Sequence, residues 1–267
     1  MTFAEPTPPP ERARSATAAA RGRPAPAADA HHFWRDLHDE ATAVYRAAGR
    51  FAWHFARGKL KRDPVFRGML EHGDFKHGGR IVDIGCGQGL LVSLLHRGEQ
   101  FAKRGQWPAH WPAAPVVTAY TGIELMPRDV ERARASVGHL PVAPRFICGD
   151  MRHTAVPACD VVVILDVLHY VDHAAQDELL GRVRDALQPR GRLLLRVGDM
   201  DCPRGFRISQ WVDMAVTWVR GHRAPPTWGR TVEQWSATLQ GLGFTVQAVP
   251  MSAGTPFANV LLVADLS

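Results

Sequence analysis

Residues 80–91 read RIVDIGCGQGLL and change character twice along their length. An apolar, β-branched run ends at Asp83, alternate glycines follow at Gly85, Gly87 and Gly89, and apolar residues then recur at helical spacing. Glycine enters positive φ at low cost and lets a ligand lie directly against the backbone. The first amides of a helix face the turn that precedes it. The stretch therefore predicts a strand, a ligand-binding turn and a helix.

The spacing and charge of this turn favour a cationic, amino-acid-like ligand over a dinucleotide. A dinucleotide-binding turn has the form G-x-G-x-x-G, whereas the third glycine here, Gly89, comes one residue early. Asp83 would repel a diphosphate and attract an ammonium or sulfonium group. Residues 82–89 match the pattern hydrophobic-Asp-x-Gly-x-Gly-x-Gly, and in this they resemble the first motif of the class I S-adenosylmethionine-dependent methyltransferases.

The resemblance extends from about Gly78 to the end of the chain. It implies S-adenosylmethionine as cofactor and an α/β fold, a doubly wound, Rossmann-like seven-stranded sheet with the cofactor across the carboxyl ends of the first strands. We expect a disordered tail rich in Pro, Ala and Arg at 1–30, an N-terminal helical cap at 31–77 and a methyltransferase domain at 78–267. A targeting peptide at 1–30 is disfavoured by its many prolines.

Composition limits the remaining classes of protein. The chain has 267 residues, 46% of them hydrophobic, which suits one sizeable α/β domain. The sequence shows neither a membrane-spanning apolar run nor a signal-type apolar core, so we expect a cytoplasmic protein. Its four cysteines lack metal-ligand spacing, so no metal site is predicted. The net charge is +6, but no basic run is interleaved with aromatic residues, which disfavours nucleic acid as a partner. The positive charge suits an acidic small substrate or an acidic carrier protein.

Acids follow three successive predicted strands. Glu124 ends the second strand, where one carboxylate can accept hydrogen bonds from both ribose hydroxyls; capping of the helix starting at Pro127 is the alternative. The third strand ends in Asp150 and Met151. The resemblance implies that Leu125, Asp150 and Met151 contact adenine. The residues assigned to the cofactor are Asp83, Gly85, Cys86, Gly87, Gly89, Glu124, Leu125, Asp150, Met151 and Asp166.

The fourth strand leads into the candidate acceptor site. Residues 160–165 form a continuous apolar run, as expected of a central strand, and residues 166–171 follow with the sequence DVLHYV. This exit resembles that of methyltransferases acting on quinone precursors and other small molecules. It lacks the Asn/Asp-Pro-Pro-aromatic motif of many enzymes that methylate amino groups of nucleic acids and proteins. We assign Asp166 and His169 to catalysis, and His169, Tyr170 and Asp199 to the substrate.

The role of His169 has two interpretations. An imidazole with an ordinary pKa near 6.5 suits removal of a hydroxyl proton at neutral pH. Positioning of substrate or entry into the next helix explains the residue equally well. The predicted reaction is methyl transfer to a hydroxyl of an aromatic or polyketide-like metabolite, free or carried on a protein. The alternatives are an RNA methyltransferase and a non-catalytic S-adenosylmethionine-binding protein.

Other segments complete the predicted fold. Helical spacing covers 31–55 and 65–72, segments that either cover the substrate side of the sheet or simply pack on the core. The insertion at 98–115, with Trp107 and Trp111, is interpreted as a packed loop rather than a flap over substrate. Residues 200–230 are interpreted as a lid-like insertion, with a dimer contact as the alternative. The remaining elements are predicted as strand 116–123, helix 173–187, strand 191–197, helix 231–242 and the antiparallel strands 244–249 and 258–264.

Overall fold

The computed structural model describes residues 26–75, 78–198, 200, 227–252 and 258–266. Residues 1–25 of the predicted tail, residues 201–226 of the predicted lid and the candidate substrate residue Asp199 lie outside the described residues. Within the described ranges, no helix has both the length and the apolar character needed to cross a membrane.

A seven-stranded sheet forms the centre of the fold, with the order β3-β2-β1-β4-β5-β7-β6. β1 to β5 are parallel, and β7 runs antiparallel to both β5 and β6. Because the chain builds outward from β1 to β3 and then resumes at β4 on the other side, the carboxyl ends of β1 and β4 flank the crevice where such sheets bind ligands. The strands are β1 Gly79–Ile84, β2 Val117–Glu124, β3 Arg145–Cys148, β4 Cys159–Leu165, β5 Leu187–Gly198, β6 Phe244–Pro250 and β7 Asn259–Leu266.

Helices cover both faces of the sheet. Successive side chains of a strand point to opposite faces, so Val161 and Val163 of β4 enter one core while Val162 and Ile164 enter the other. The first core includes α1 to α5, and the second includes α6 and α7. The predicted doubly wound sheet is confirmed. The helices are α1 Pro26–Ala43, α2 Arg50–Arg62, α3 Pro64–Glu71, α4 Leu90–Lys103, α5 Pro127–Val137, α6 His173–Ala186 and α7 Val232–Gly241.

The N-terminal helices differ from the predicted single helix over 31–55. α1 ends at Ala43, a 3₁₀ turn spans Val44–Ala48, and α2 begins after Gly49. Gly49 has a φ of 97°, which no right-handed helix accommodates, so the helical pattern is interrupted there. α1 begins at Pro26, so it extends into the tail predicted at 1–30, and Ala30 of this helix is buried in the core.

Two element boundaries are also corrected. The predicted helix 173–187 stops at Ala186, and β5 starts at Leu187 rather than at residue 191. Cys159 of β4 pairs with Leu187, but Val161 pairs with Arg192, so the irregular residues between them are accommodated within the strand. The predicted helix 231–242 is present as Val232–Gly241, and its N-cap residue Thr231 forms a capping box with Gln234.

The predicted insertion at 98–115 is only partly a loop. Because α4 continues to Lys103, residues 98–103 are helical, and the packed loop comprises residues 104–115. The ring centroids of Trp107 and Trp111 each lie 5.2 Å from that of Phe33 on α1. The indole nitrogen of Trp107 donates to the Pro112 carbonyl over 2.8 Å. This loop leads into the start of β2, so it lies at the opposite end of the sheet from the glycine turn and does not form a flap over that site.

Candidate functional site

The glycine turn joins β1 to α4 with all three alternate glycines in the left-handed region, at φ of 79°, 54° and 77° for Gly85, Gly87 and Gly89. A Cβ on Gly85 would lie 2.6 Å from Val167, so close packing with the segment after β4 requires glycine there. A Cβ on Gly87 would meet nothing within 4 Å. The backbone at Gly87 therefore offers an open surface against which a ligand can lie.

Asp83 stands on β1 just before this turn and is 4% exposed. Its Oδ2 accepts a 2.6 Å hydrogen bond from the hydroxyl of Tyr120 on β2. Burial raises the pKa of Asp83 to about 7; the Tyr120 hydrogen bond opposes this rise and the charge of Glu124 adds to it. Since the ionised carboxylate is destabilised by burial, a cation at the turn would be attracted to it. This fits the predicted ammonium or sulfonium ligand.

Glu124 connects the end of β2 to the turn. Its Oε2 accepts from the Gly87 amide and its Oε1 from the Met126 amide, each over 2.9 Å. Helix α5 starts at Pro127 with Met126 as a cap residue that makes no side-chain bond, so Glu124 does not cap this helix in the usual way. The carboxylate instead lies directly beside the open backbone of Gly87. Its contact with the ribose hydroxyls stays a prediction.

The loop after β3 is fixed by two arginines. Arg152 binds the Asp150 carboxylate through Nε at 2.9 Å and Nη2 at 2.6 Å, and these hydrogen bonds lower the pKa of Asp150. Arg182 of α6 donates to the carbonyls of Met151 and Thr154 over 2.7 and 2.8 Å. The structure therefore places Asp150 and Met151 on a braced loop at the same edge of the sheet as Glu124, and their contact with adenine stays a prediction.

Two further predicted cofactor residues have contrasting environments. Leu125 is 60% exposed, beside Glu124, and leaves an apolar surface at the edge of the site. Cys86 is buried, and a Cβ on Gly122 would lie 2.6 Å from its sulfur. The side chain of Cys86 thus packs into the core against β2, and only its backbone borders the turn.

The exit of β4 carries the candidate acceptor residues. His169 and Tyr170 lie in a 3₁₀ turn at Leu168–Tyr170, with their ring centroids 4.2 Å apart. Both are partly buried, and the His169 carbonyl accepts a 2.8 Å hydrogen bond from the Trp228 amide. The contact of Val167 with Gly85 places this turn across the crevice from the glycine turn.

Asp166, predicted to take part in catalysis and cofactor binding, is paired with basic side chains at this exit. It is held by Arg196 of β5, whose Nε donates to Oδ1 over 2.7 Å, and Arg196 also binds Asp63. Lys59 lies 3.7 Å from the other Asp166 oxygen. Sequence reasoning missed Arg196, Lys59 and Asp63, because no local pattern links positions so far apart along the chain.

The N-terminal helices bind the glycine turn through buried polar side chains. The Tyr45 hydroxyl donates to the Gly89 carbonyl over 2.7 Å, and Gln88 Nε2 donates to the Ala52 carbonyl over 2.9 Å. Ser93 on α4 donates to the Ala41 carbonyl over 2.7 Å. These helices therefore pack on the core, as one of the two alternatives predicts, and they also contact the glycine turn. That they cover the substrate side of the sheet stays a prediction. These contacts were not predicted; Ser93, a polar residue within the apolar run 90–95, is the signal that could have indicated such a partner.

The described part of the chain holds no cluster of three or more His, Cys, Asp or Glu residues suited to a metal ion. The site is thus built from a glycine turn, carboxylates at the ends of β1 to β3 and an aromatic turn after β4.

Comparisons with known proteins agree with this architecture. A family model described as "Methyltransferase domain" matches residues 52–249. Acetylserotonin O-methyltransferase of Mus musculus is 32% identical over 211 residues, which cover 79% of this chain and 50% of that protein. The chain thus spans about half the length of these curated relatives, although the match covers most of the chain itself.

Two solved structures share the fold. Human N-acetylserotonin methyltransferase in complex with SAM has a TM-score of 0.54 and 18% identity, over 90% of this chain and 67% of that one. Magnesium protoporphyrin IX methyltransferase from Synechocystis with bound SAH has a TM-score of 0.54 and 16% identity, over 89% of this chain and 94% of that one.

Proposed function

The chain belongs to the methyltransferase domain family, and we propose that it transfers the methyl group of S-adenosylmethionine to a hydroxyl of a small aromatic or polyketide-like metabolite. One observation carries the proposal: the open glycine turn with its two carboxylates, Asp83 and Glu124, faces a turn bearing His169 across the same crevice. The name of the mouse relative, an O-methyltransferase, supports oxygen as the accepting atom.

The residues at the glycine turn fit S-adenosylmethionine. Gly87 leaves room for its amino-acid portion, and the buried Asp83 favours a positive charge nearby. Glu124 would accept from the ribose hydroxyls, while Leu125 and the loop at Asp150 and Met151 would hold adenine. When bound, this cofactor supplies an electrophilic methyl group on a sulfonium centre.

The remaining residues act on the acceptor. His169 would take the proton of the acceptor hydroxyl, since a neutral imidazole nitrogen can accept a proton. Tyr170 lies against His169, and Trp228, which is 42% exposed, is hydrogen-bonded to the His169 carbonyl. An aromatic side chain in contact with a base suits a flat aromatic acceptor. Because in-line transfer needs mainly proximity and alignment, a single base is enough.

The acceptor is free or presented by an acidic carrier protein. Helix α2 carries five basic residues and no acid, and it runs from the glycine turn, at Ala52, to the exit of β4, at Lys59. A negatively charged carrier would be attracted to this border of the site. Carrier-bound acceptors would then be methylated faster at low salt, whereas free acceptors would show little salt dependence.

The proposal is tested by methyl transfer from isotope-labelled S-adenosylmethionine. A panel of phenols is compared with the matching compounds in which the hydroxyl is replaced by hydrogen or by an amine, and with total RNA. We expect label on phenols alone, and at least about tenfold less with His169→Gln. Label on amines or RNA alone, or cofactor binding without transfer to any member of the panel, would contradict the proposal.

A further inference from the structure

A fully buried arginine lies next to the candidate acceptor site. Arg196 stands near the carboxyl end of β5, opposite Leu165 of β4, and its side chain is 1% exposed. A buried charge is costly unless it is paired and hydrogen-bonded. Arg196 satisfies this requirement with carboxylates from two distant parts of the chain, Asp63 and Asp166.

The guanidinium divides its donors between the two acids. Nε donates to Asp166 Oδ1 over 2.7 Å, Nη2 donates to Asp63 Oδ2 over 2.7 Å, and each carboxylate accepts a second hydrogen bond from the same group. Lys59 lies 2.7 Å from Asp63 Oδ2. Although burial opposes the charged form, Arg196 and Lys59 hold the pKa of Asp63 well below its ordinary value. Two acidic and two basic side chains therefore form one connected cluster.

This cluster joins the N-terminal helices to the exit of β4. Asp63 caps α3, where its Oδ1 accepts from the Val65 amide over 3.2 Å. Asp166 is the first residue after β4 and has a φ of 59°, a left-handed conformation that is uncommon for a residue with a side chain. Such conformations persist where the surroundings hold them, and here Arg196 holds both the carboxylate and, through its carbonyl, the Asp166 amide at 3.3 Å.

The conformation of Asp166 determines where His169 lies. The residue after it, Val167, packs on Gly85 of the glycine turn, and the 3₁₀ turn with His169 follows at once. A change of backbone direction at Asp166 would therefore move His169 relative to the cofactor site. Displacement of a reacting group by about 1 Å is enough to lower a rate by about 100-fold.

We propose that Arg196 is a positioning residue for methyl transfer: it holds Asp166 in its left-handed conformation and binds it to Asp63, so that the His169 turn and the N-terminal helices keep one placement around the acceptor. This inference rests on the proposed function. In this proposal Asp166 acts through its pair with Arg196, and not as the catalytic residue that the sequence predicts.

Arg192 provides a matched control on the same strand. It lies four positions earlier, is also buried, and binds Asp265 through Nε at 2.6 Å and Nη2 at 2.8 Å. Because β5 is parallel to β4, Arg192 lies toward the end of the sheet that is remote from His169. Arg192→Met and Arg196→Met each remove a buried guanidinium, and both should lower the melting temperature. Only Arg196→Met should alter the His169 turn.

The experiment uses the full chain and has two readouts. The first is the NMR spectrum of the His169 ring, assigned by the loss of its signals in His169→Gln. The second is the separation of kcat from KM with an acceptor from the phenol panel. We expect Arg196→Met to shift the His169 signals and to lower kcat by about 10- to 100-fold, with KM for S-adenosylmethionine changed by less than about threefold. Arg196→Lys should recover part of the loss.

A second variant keeps the test decisive if Arg196→Met fails to fold. Asp63→Asn leaves the pair of Arg196 and Asp166 intact but removes the charge that binds it to the N-terminal helices, so the His169 signals should still shift. Unchanged His169 signals in the folded variants, or equal shifts in Arg192→Met, would overturn the proposal. Absence of transfer to any acceptor by the wild-type protein would instead count against the proposed function, and the His169 spectra would still decide whether Arg196 places this turn.

Discussion

Cofactor affinity should depend on pH through Asp83, and the Tyr120→Phe substitution should move that dependence to higher pH. Burial raises the pKa of Asp83 to about 7, so a fraction of the protein carries a neutral Asp83 at neutral pH. A sulfonium or ammonium ligand interacts favourably with the ionised form. With a pKa of about 7, the ionised fraction rises from roughly one tenth at pH 6 to roughly nine tenths at pH 8, which corresponds to about a tenfold gain in affinity.

The Tyr120 hydroxyl donates to Asp83 over 2.6 Å, and its hydrogen bond is the interaction that lowers the carboxyl pKa against burial. A hydrogen bond to a charged group contributes about 1.5 to 3 kcal/mol. Since one pKa unit corresponds to about 1.4 kcal/mol, its loss should raise the pKa of Asp83 by about 1 to 2 units. Affinity at pH 7 should then fall about 5- to 50-fold and recover by about pH 9 to 10.

Isothermal titration calorimetry with S-adenosylmethionine at pH 6 to 9 measures both effects. Binding near pH 7 should release about half a proton, which two buffers of different ionisation enthalpy reveal. Asp83→Asn is the control: it retains the shape of the side chain, should bind weakly at every pH, and reports the titration of the ligand's own amino group. If wild type and Asp83→Asn showed the same pH dependence, the assignment of the titrating group to Asp83 would be refuted.

Further predictions follow from the same contacts. Because the pKa of Asp83 is raised by burial from 3.8 to about 7, the free energy of unfolding should decrease as the pH rises from about 4 to 7, and urea titrations of Asp83→Asn should lack that decrease. Gly85→Ala should destabilise the fold by more than Gly87→Ala, because a Cβ at Gly85 would lie 2.6 Å from Val167 whereas a Cβ at Gly87 would meet nothing within 4 Å. Gly87→Ala should lower the free energy of unfolding by about 1 to 3 kcal/mol because of its positive φ, and should lower the free energy of cofactor binding by more than that. Equal losses in binding and in unfolding would speak against a ligand at Gly87. Tyr45→Phe removes the shorter of two hydrogen bonds to the buried Gly89 carbonyl, which keeps only the 3.4 Å bond from the Ser93 amide, and should lower stability by about 1 to 3 kcal/mol, measured by chemical denaturation. Glu124→Ala removes the acceptor of the Gly87 amide and should weaken cofactor binding strongly in calorimetry while the circular dichroism spectrum stays that of a folded protein; unchanged affinity would refute its place in the site.

The parts of the site that depend on short stretches of sequence were predictable. The turn at 85–89 owes its shape to glycines that are close together, and the acids Asp83 and Glu124 follow strands whose apolar runs are visible in the sequence. The parallel strands then bring those acids to one edge of the sheet, which is why three separate patterns indicate one site.

Other features could not be predicted, for identifiable physical reasons. The break at Gly49 interrupts a helical pattern that continues on both sides, so periodicity alone indicates one helix where the backbone forms two. The pairs of Arg196 with Asp63 and with Asp166 join positions 133 and 30 residues apart. Charged residues are ordinarily solvent-exposed, and only the tertiary fold shows that Arg196 is buried and that two partly buried carboxylates pair with it.

The two sets of contacts made by the N-terminal helices lie on opposite sides of the crevice, and this arrangement explains why those helices belong to the site. Tyr45 and Ala52 bind the turn after β1. At the other side, Lys59 lies beside Asp166 at the exit of β4, and Asp63 binds Arg196 of β5, which also binds Asp166. Helix α2 carries Ala52 and Lys59 and is followed at once by Asp63, so it bridges the half of the crevice assigned to the cofactor and the half assigned to the acceptor. Because a helix is a stiff connection, the spacing of these two contacts fixes the separation of the glycine turn from His169. In-line methyl transfer depends on that separation, so the N-terminal helices act on the chemistry through geometry although none of their residues needs to touch the reacting atoms.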